Sequence, residues 1–213
     1  MKSTLTKHFI KKVNFSYLKI LKDQINDCRT ILDLGCGSES PLYNLNFDDR
    51  YTVGIDIFQK YLEISKKKNI HDKYYNQNIL NIDDLYSENR FDCVLLLEVI
   101  EHLNKSEFFK LLKKVEKIAI KKIIVKTPNG YFSQGEYDQN KYQKHKSGWD
   151  TRILNKMGFN VYGIDGFKAF RGERGKFKYT PIKIYSLTSI FFSKILKYLP
   201  QISYQLFCVK KLK

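Results

Sequence analysis

The sequence has few cysteines, and their spacing excludes two common uses of this residue. Four of them occur in 213 residues, none in a C-x-x-C pair and each within an apolar stretch: Cys28, Cys36, Cys93 and Cys208. Structural zinc sites and disulfide frameworks both require paired cysteines at characteristic spacings. We therefore predict no metal site and no disulfide, but reduced core thiols, as is typical of cytoplasmic proteins.

A long apolar run is also missing. No window reaches the roughly 18 uninterrupted apolar residues that span a bilayer. Lysines interrupt the N-terminal stretch MKSTLTKHFIKKVNF, where a signal peptide would carry its apolar segment. These absences predict a cytoplasmic protein. The apolar segment 184–199 is also compatible with a location at the membrane periphery.

Acidic residues are scarce relative to basic ones, 22 against 38, which gives a formal net charge of +16. Such a charge attracts nucleic acid, an anionic membrane surface or a phosphorylated substrate. Nearly all of the basic residues are lysines, in a chain also rich in Ile, Asn, Tyr and Phe. An A/T-biased genome gives this pattern to any protein. The charge alone therefore identifies no partner.

The apolar pattern alternates short β-rich runs with helical periods, over a length suited to one domain. Helices are expected at 5–26, 58–68, 105–119, near 149–157 and at 184–199. The strand-like runs are RTILDLG, YTVGIDI, KYYNQNI, FDCVLLL, KKIIVKT, GFNVYGI and SYQLFCVKK. Continuous apolar runs are typical of strands that are covered on both faces. We predict an α/β fold with a doubly wound, mostly parallel sheet and helices on both faces.

The stretch ILDLGCGSES ends the first predicted strand, where open α/β sheets bind ligands. Gly35 and Gly37 allow a ligand to approach the backbone N–H groups closely. Asp56 ends the next strand, where a carboxylate can accept hydrogen bonds from both ribose hydroxyls. The pattern predicts a nucleoside ligand, either a dinucleotide such as NAD or S-adenosylmethionine.

The residues around this turn favour S-adenosylmethionine. The third glycine of a dinucleotide fingerprint is replaced by Ser40, which Pro41 follows. Asp33 would oppose a pyrophosphate, whereas it suits the amino group of a methionine moiety.

Several motifs in this order resemble the class I S-adenosylmethionine-dependent methyltransferases of the type 11/12-like, small-molecule and glycan branch. DLGCGSE is similar to the first motif of that family, GIDI to its ribose-binding strand, FDCVLLLEVIEHL to its fourth-strand motif and KKIIVKTPNG to its fifth strand. The resemblance covers residues 25–164. It implies one methyltransferase domain over 1–213, with a Rossmann-like seven-stranded sheet and an antiparallel last strand. The segment 165–200 is then a basic loop and an amphipathic helix before that strand.

The resemblance implies S-adenosylmethionine as the cofactor, held by residues at the strand ends. Asp33 and the glycine turn would surround its methionine and ribose portions, Asp56 its ribose hydroxyls, and Ile57 its adenine. Asn78 stands where the family often has an aspartate that accepts from the adenine amino group, and an amide oxygen can accept the same bond. Glu98 would lie near the methionine end or cap the next helix. The full predicted set is Asp33, Gly35, Cys36, Gly37, Asp56, Ile57, Asn78, Ile79 and Glu98.

Two histidines are candidate bases for an acceptor hydroxyl. His102 ends the EVIEH turn, where it could instead bind backbone at a helix start. His145 belongs to KHKSGWD, which is similar to an H-x-S-x-W passage of related glycan-type enzymes and so implies acceptor contacts for Ser147 and Trp149. A tryptophan staple into the core is the alternative for Trp149. The remaining histidines, in polar, lysine-flanked stretches, are expected at the surface: His8 and His71.

The C-terminal third carries two further expectations. Arg171 and Arg174, in the basic stretch 165–183, suit a phosphate or carboxylate of an anionic acceptor, although a solvated loop fits as well. The helix at 184–199 has a wide apolar face that fits the core, a homodimer contact or a membrane surface. Of these we favour core or dimer packing.

We therefore expect an S-adenosylmethionine-dependent methyltransferase that O-methylates a small molecule, a sugar or a lipid-linked glycan. Three alternatives remain open: an RNA methyltransferase, an NAD-dependent oxidoreductase, and a non-enzymatic basic binding module on the same fold. Nucleic acid is the less favoured partner, because the chain has no aromatic-rich RNA-binding motif.

Overall fold

The structure, a computed structural model, describes residues 17–45, 49–172 and 175–212. The strands are β1 (Thr30–Leu34), β2 (Tyr51–Asp56), β3 (Lys73–Asn76), β4 (Phe91–Leu97), β5 (Ala119–Pro128), β6 (Asn160–Phe167) and β7 (Ser203–Lys211). The helices are α1 (17–24), α2 (Gln59–Lys67), α3 (Lys105–Ile118), α4 (Thr151–Lys156), α5 (Ile182–Phe191) and α6 (Ser193–Leu196). The first part of the predicted helix 5–26, His8 and Arg174 lie outside the described residues.

All seven strands form one sheet, in the order β3-β2-β1-β4-β5-β7-β6. Strands β1 to β5 are parallel, and β7 runs antiparallel to both of its neighbours, β5 and β6. The predicted doubly wound sheet with an antiparallel last strand is confirmed. The strand order reverses at β1, between β2 and β4, and the carboxyl ends there border the crevice where such sheets bind ligands.

The sheet is covered on both faces, as the continuous apolar runs predicted. Alternate residues of a strand point to opposite faces, so Leu32 and Leu34 join one apolar cluster and Ile31 joins the other. The helix α3 covers the first face with Phe108, Leu111, Leu112 and Val115. All four cysteines are buried and free, as expected of core thiols.

The C-terminal third differs from the sequence-based expectation in two respects. Strand β6 continues through Phe167, so the segment inserted before β7 begins at Lys168 rather than at 165. The expected helix 184–199 is two helices, α5 and α6, and much of it lies outside the core: Phe191 is 77% exposed, whereas Leu196 is buried. No helix in the described part of the chain combines the length and the apolar character needed to cross a bilayer.

Candidate active site

The turn after β1 has the two left-handed glycines that its sequence suggests. Gly35 and Gly37 have φ of +70° and +59°, values that favour glycine. A Cβ on Gly35 would lie 2.6 Å from Cγ2 of Val99, which follows β4. The Gly35 N–H donates to the Ile55 carbonyl at 2.7 Å. The turn is therefore held against β2 and leaves no room for a side chain beside Val99.

Asp56 lies at the end of β2, beside this turn. Its carboxylate accepts hydrogen bonds from the Gly37 N–H at 2.9 Å and the Phe58 N–H at 2.8 Å. Burial raises its pKa, and these N–H groups oppose the rise. Asp56 borders a cavity of about 190 Å³ together with three other residues of the predicted cofactor set: Ile57, Asn78 and Ile79.

Asp33 borders a second, larger cavity of about 740 Å³, together with Gly35, Cys36 and Gly37. Its carboxyl accepts a hydrogen bond from the Ser40 hydroxyl at 2.5 Å. Burial raises the pKa of Asp33 to about 7, against the effect of that hydrogen bond. The acid therefore changes its charge near neutral pH.

His71 is buried, so the prediction that it lies at the surface is wrong. Its imidazole packs on the face of β2 at Gly54, where a Cβ would lie 2.5 Å from the ring. Its Nε2 lies 3.5 Å from Asp33 Oδ2, and burial lowers the pKa of His71 to about 4. The glycine of the GIDI motif thus makes room for a neutral histidine behind Asp33.

Glu98, directly after β4, is held in an ionised state by a partly buried lysine and by hydrogen bonds. It contacts Lys126 of β5 and accepts a hydrogen bond from Gln205 Nε2 of β7 at 2.6 Å. Burial alone would raise the pKa of Glu98, but the Lys126 charge and the hydrogen bonds from Glu101, Lys126 and Gln205 together outweigh it, and the pKa is lowered. Lys126 also lies 3.6 Å from Asp165 and 4.8 Å from the ring centroid of Tyr17.

Glu101, three residues later, is buried and only half satisfied. Its Oε2 accepts from the Thr127 hydroxyl at 3.1 Å, whereas Oε1 has no hydrogen-bond partner among the described residues. Burial, and then the nearby charge of Glu98, raises the pKa of Glu101 well above its usual range. A side-chain hydrogen bond shared with Glu98 raises this pKa further, so the buried carboxyl of Glu101 is balanced either by its own proton or by a cation.

His102 and His145 converge on Glu101. One ligand atom of each of the three residues lies within 4.8 Å of the others, and the two imidazole centroids are 4.9 Å apart. The Nδ1 atoms lie 3.2 Å from the Lys144 carbonyl and 2.7 Å from the Phe132 carbonyl, respectively. Each ring therefore donates from Nδ1 and leaves the lone pair of Nε2 available, the arrangement of metal-binding histidines. The three residues could hold a cation, although the sequence predicted no metal site.

The KHKSGWD passage is fixed against the EVIEH turn by Ser147 and Trp149. The Ser147 hydroxyl and the Trp149 indole N–H both donate to the Ile100 carbonyl at 3.1 Å, and both side chains are buried. Neither residue borders the two cavities. This anchoring matches the core-staple alternative for Trp149 and places His145 next to His102, while acceptor contacts of Ser147 and Trp149 stay a prediction.

Arg171, which the sequence predicts to bind an anion, makes its hydrogen bond and ring contacts mostly with residues of its own loop. Its guanidinium donates to the Gly175 carbonyl at 2.8 Å and stacks over the rings of Phe177 and Tyr204. It borders a separate cleft that opens beside Phe132, which also borders the large cavity. The anion-binding role of Arg171 stays a prediction.

Sequence reasoning missed three residues that complete the site: His71, Lys126 and Glu101. Glu101 had a readable signal, since an acid three residues after Glu98 and next to a histidine forms the motif E-x-x-E-H. His71 had none, because it follows a polar, lysine-rich stretch, and the partners of Lys126, such as Glu98, lie on other strands and cannot be read from its own stretch IIVKTP.

Comparison with known proteins agrees with this geometry. A family model described as a methyltransferase domain matches residues 32–121. A ubiquinone biosynthesis O-methyltransferase from Rickettsia bellii is 30% identical over 135 residues, which cover 58% of this chain and 55% of the relative. The chain therefore spans about half the length of the curated relatives that it matches first.

Solved structures share the fold at low identity. A SAM-dependent methyltransferase from Archaeoglobus fulgidus superposes with a TM-score of 0.58 at 14% identity, over 92% of this chain and 94% of the other. A magnesium protoporphyrin IX methyltransferase from Synechocystis, solved with bound SAM, has a TM-score of 0.53 at 15% identity, over 98% and 82%. Residues 32–121 thus match a methyltransferase domain, and the chain as a whole shares the Rossmann-like fold of these S-adenosylmethionine-dependent enzymes.

Proposed function

We propose that the protein transfers the methyl group of S-adenosylmethionine to a hydroxyl oxygen of a small-molecule acceptor. The observation that carries this proposal is that Glu101, His102 and His145 face the same cavity as the glycine turn, so acceptor and cofactor can meet there. The O-methyltransferase name of the Rickettsia relative supports oxygen as the acceptor atom. Sugars and lipid-linked glycans carry hydroxyls of this kind.

The two cavities suggest how the cofactor lies. Asp56, Ile57 and Asn78 border the smaller one, which suits adenosine, and Asp33 borders the larger one, which suits the methionine portion. Gly35, Glu98 and His102 border both. The sulfonium methyl then lies at this junction, beside the imidazoles, with the rest of the larger cavity open to the acceptor.

Methyl transfer forms a bond from the acceptor oxygen to the methyl carbon as the carbon–sulfur bond breaks. The cofactor leaves as the neutral thioether S-adenosylhomocysteine, and the hydroxyl proton must leave too. The sequence assigns that proton to His102 or His145. A different role fits better: burial lowers the pKa of His102 to about 4, and such an imidazole is a poor base at neutral pH.

We infer instead that Glu101, His102 and His145 hold a divalent cation. Two neutral imidazoles and one carboxylate form a ligand set that first-row divalent ions accept, with further positions left for other ligands. A cation would satisfy the unpaired Oε1 of Glu101 and offset the repulsion between this carboxylate and Glu98. When bound, it would lower the pKa of a hydroxyl that contacts it, so that the proton can pass to water.

Two measurements test this function. Titration calorimetry with S-adenosylhomocysteine should show binding by the wild-type protein and a loss in Asp56→Ala. Methyl transfer from methyl-labelled cofactor to a panel of phenols, catechols and sugars should be abolished by EDTA and restored by Mn²⁺ or Zn²⁺. Calorimetry with Mn²⁺ should then detect a site that Glu101→Gln removes.

The surface acid Glu63, on α2, is the matched control, and Glu63→Gln should bind Mn²⁺ as the wild type does. Failure to bind S-adenosylhomocysteine would overturn the cofactor assignment. Transfer at full rate in EDTA, with cofactor binding intact, would overturn only the cation. Methylation of oligonucleotides but of none of the small acceptors would make RNA the substrate.

A further inference from the structure

The segment from α5 to the start of β7 exposes an apolar surface that the fold does not use. We call it the apolar ridge. Its residues, each between 45% and 77% exposed, are Ile182, Ile184, Leu187, Phe191, Ile195, Tyr198, Leu199 and Ile202. Soluble proteins seldom expose so many large apolar side chains in one short segment without a partner. Among the side chains of α5 that the structure describes, the exposed ones are apolar: Ile182, Ile184, Leu187 and Phe191.

The chain around the ridge is strongly basic. Residues 166–202 contain eight lysines and arginines against a single acid. Among the described residues, Lys176 and Lys178 are exposed, and Lys168 and Lys197 are partly exposed. Exposed apolar side chains beside lysines match a surface whose outside is anionic and whose inside is hydrocarbon. A second copy of this basic segment would instead meet it with like charge.

An open cleft of about 850 Å³ lies beside the ridge, and it shares one lining residue with the candidate active site. Ile202 of the ridge and Lys178 border this cleft. Phe132 borders both this cleft and the 740 Å³ cavity, and its ring packs against Tyr204 at 5.2 Å between centroids. Tyr131 and Phe167 add aromatic surface to the cleft wall. A molecule with an apolar tail in the cleft could therefore place its polar head near His145.

We propose that the apolar ridge docks on an anionic lipid bilayer and that the acceptor is an amphiphile taken from it. The apolar side chains enter the interface while the lysines meet the headgroups. The acceptor's hydroxyl-bearing head then reaches the large cavity, and its tail stays in the cleft. The acceptor part of this inference rests on the proposed methyl transfer, whereas the docking part does not.

Vesicle sedimentation tests the docking. The wild-type chain should bind vesicles of phosphatidylglycerol and phosphatidylcholine, bind pure phosphatidylcholine far more weakly, and lose binding at high salt. The double variant Leu187→Ser/Phe191→Ser should bind on the order of 100-fold more weakly, because two large side chains no longer leave water. The matched control is Phe109→Ser, which removes a 43%-exposed phenylalanine from α3 on another part of the surface.

Circular dichroism and calorimetry with S-adenosylhomocysteine, performed on each variant, separate docking from folding and from the cofactor site. We expect both to be unchanged in Leu187→Ser/Phe191→Ser. The proposal would be overturned if the wild-type chain did not bind anionic vesicles. It would also be overturned if light scattering showed a dimer of the wild-type chain and a monomer of the double variant. Failure of S-adenosylhomocysteine to bind would overturn the proposed function, but it would not affect the conclusion about vesicle binding.

The acceptor class is tested with two substrates that carry the same phenol group and differ only in a long alkyl chain. A phenol with a long alkyl chain, presented in anionic vesicles, should be methylated with a KM at least about tenfold below that of the same phenol without the chain, because the tail leaves water. The KM advantage should disappear in Leu187→Ser/Phe191→Ser, while kcat stays near the wild-type value. An equal KM for both substrates would overturn the amphiphile assignment.

Discussion

The two halves of the candidate site are built in different ways. The cofactor half consists of the turn after β1 and single acids at the carboxyl ends of β1 and β2, and the Asp56 carboxylate accepts from backbone N–H groups. The acceptor half consists of side chains from distant parts of the chain, such as Glu98 with Gln205 and His102 with His145. The first half is a property of a local stretch of sequence, whereas the second exists only when the whole sheet has formed.

The halves also differ in electrostatics. In the cofactor half, burial raises the pKa of both Asp33 and Asp56. In the acceptor half, Lys126 keeps Glu98 ionised while Glu101 is left with a strongly raised pKa. In our proposal a cationic amino group would stabilise the ionised carboxyl of Asp33 in the cofactor half, and a bound cation would stabilise that of Glu101 in the acceptor half.

The largest expected effect is a loss of methyl transfer without a loss of cofactor binding. Glu101→Gln should lower the methyl-transfer rate by about 1000-fold, in the range of lost acid–base or metal assistance. It should leave the affinity for S-adenosylhomocysteine within about threefold of wild type, a change of under 1 kcal/mol. Steady-state rates and calorimetry measure the two. A parallel loss of cofactor affinity would show that the halves are not independent.

The second expected effect is a loss of cofactor affinity, caused by a substitution in the glycine turn. Gly35→Ala must tolerate a positive φ and a Cβ that would lie 2.6 Å from Val99. Such strain costs about 1–3 kcal/mol, so cofactor affinity should fall by about 10- to 100-fold. Gly135→Ala is the control, because its Cβ meets nothing within 4 Å and its φ is not positive. Calorimetry with S-adenosylhomocysteine should show a loss in the first variant alone.

This contrast explains what the sequence could predict. The alternation of strands and helices, the glycine turn and Asp56 follow from local patterns, whereas the antiparallel last strand was implied by the family resemblance. His71 could not be predicted, because its burial depends on Gly54 of a neighbouring strand. The KHKSGWD motif could not decide whether Trp149 meets the acceptor or packs in the core, because a motif shows which residues recur but not which way a side chain points. The exposed surface of α5 could not be predicted either, since the same apolar pattern describes a core helix.

The pH dependence should sharpen the description of the cofactor half. The cofactor's ammonium needs Asp33 as a carboxylate, and its pKa is raised to about 7. Affinity should therefore fall about tenfold per pH unit below that value and level off above it. His71, with a pKa near 4, does not titrate in this window. Asp33→Asn should flatten the profile of Kd against pH; a profile unchanged in that variant would assign the titration elsewhere.

The raised pKa of Asp33 should also affect stability: cofactor affinity should rise with pH, whereas the free energy of unfolding should fall. A carboxyl whose pKa is raised on folding stabilises the protein when protonated, so its contribution is full below the ordinary value and is lost as pH rises to about 7. Asp33→Asn should remove this slope. Urea denaturation between pH 5 and 8, in the absence of cofactor, compares the free energy of unfolding of the two proteins.

The smallest effect concerns the link between the halves and tests whether anchoring, rather than contact, is the role of Trp149. Trp149→Phe keeps an aromatic ring in the core but removes the indole N–H that donates to the Ile100 carbonyl. The Ser147 hydroxyl still donates to that carbonyl, so the loss should be about 1 kcal/mol of stability. Looser placement of His145 should lower kcat about threefold to tenfold without changing the KM for the acceptor. A raised KM at constant kcat would mean instead that the indole meets the acceptor.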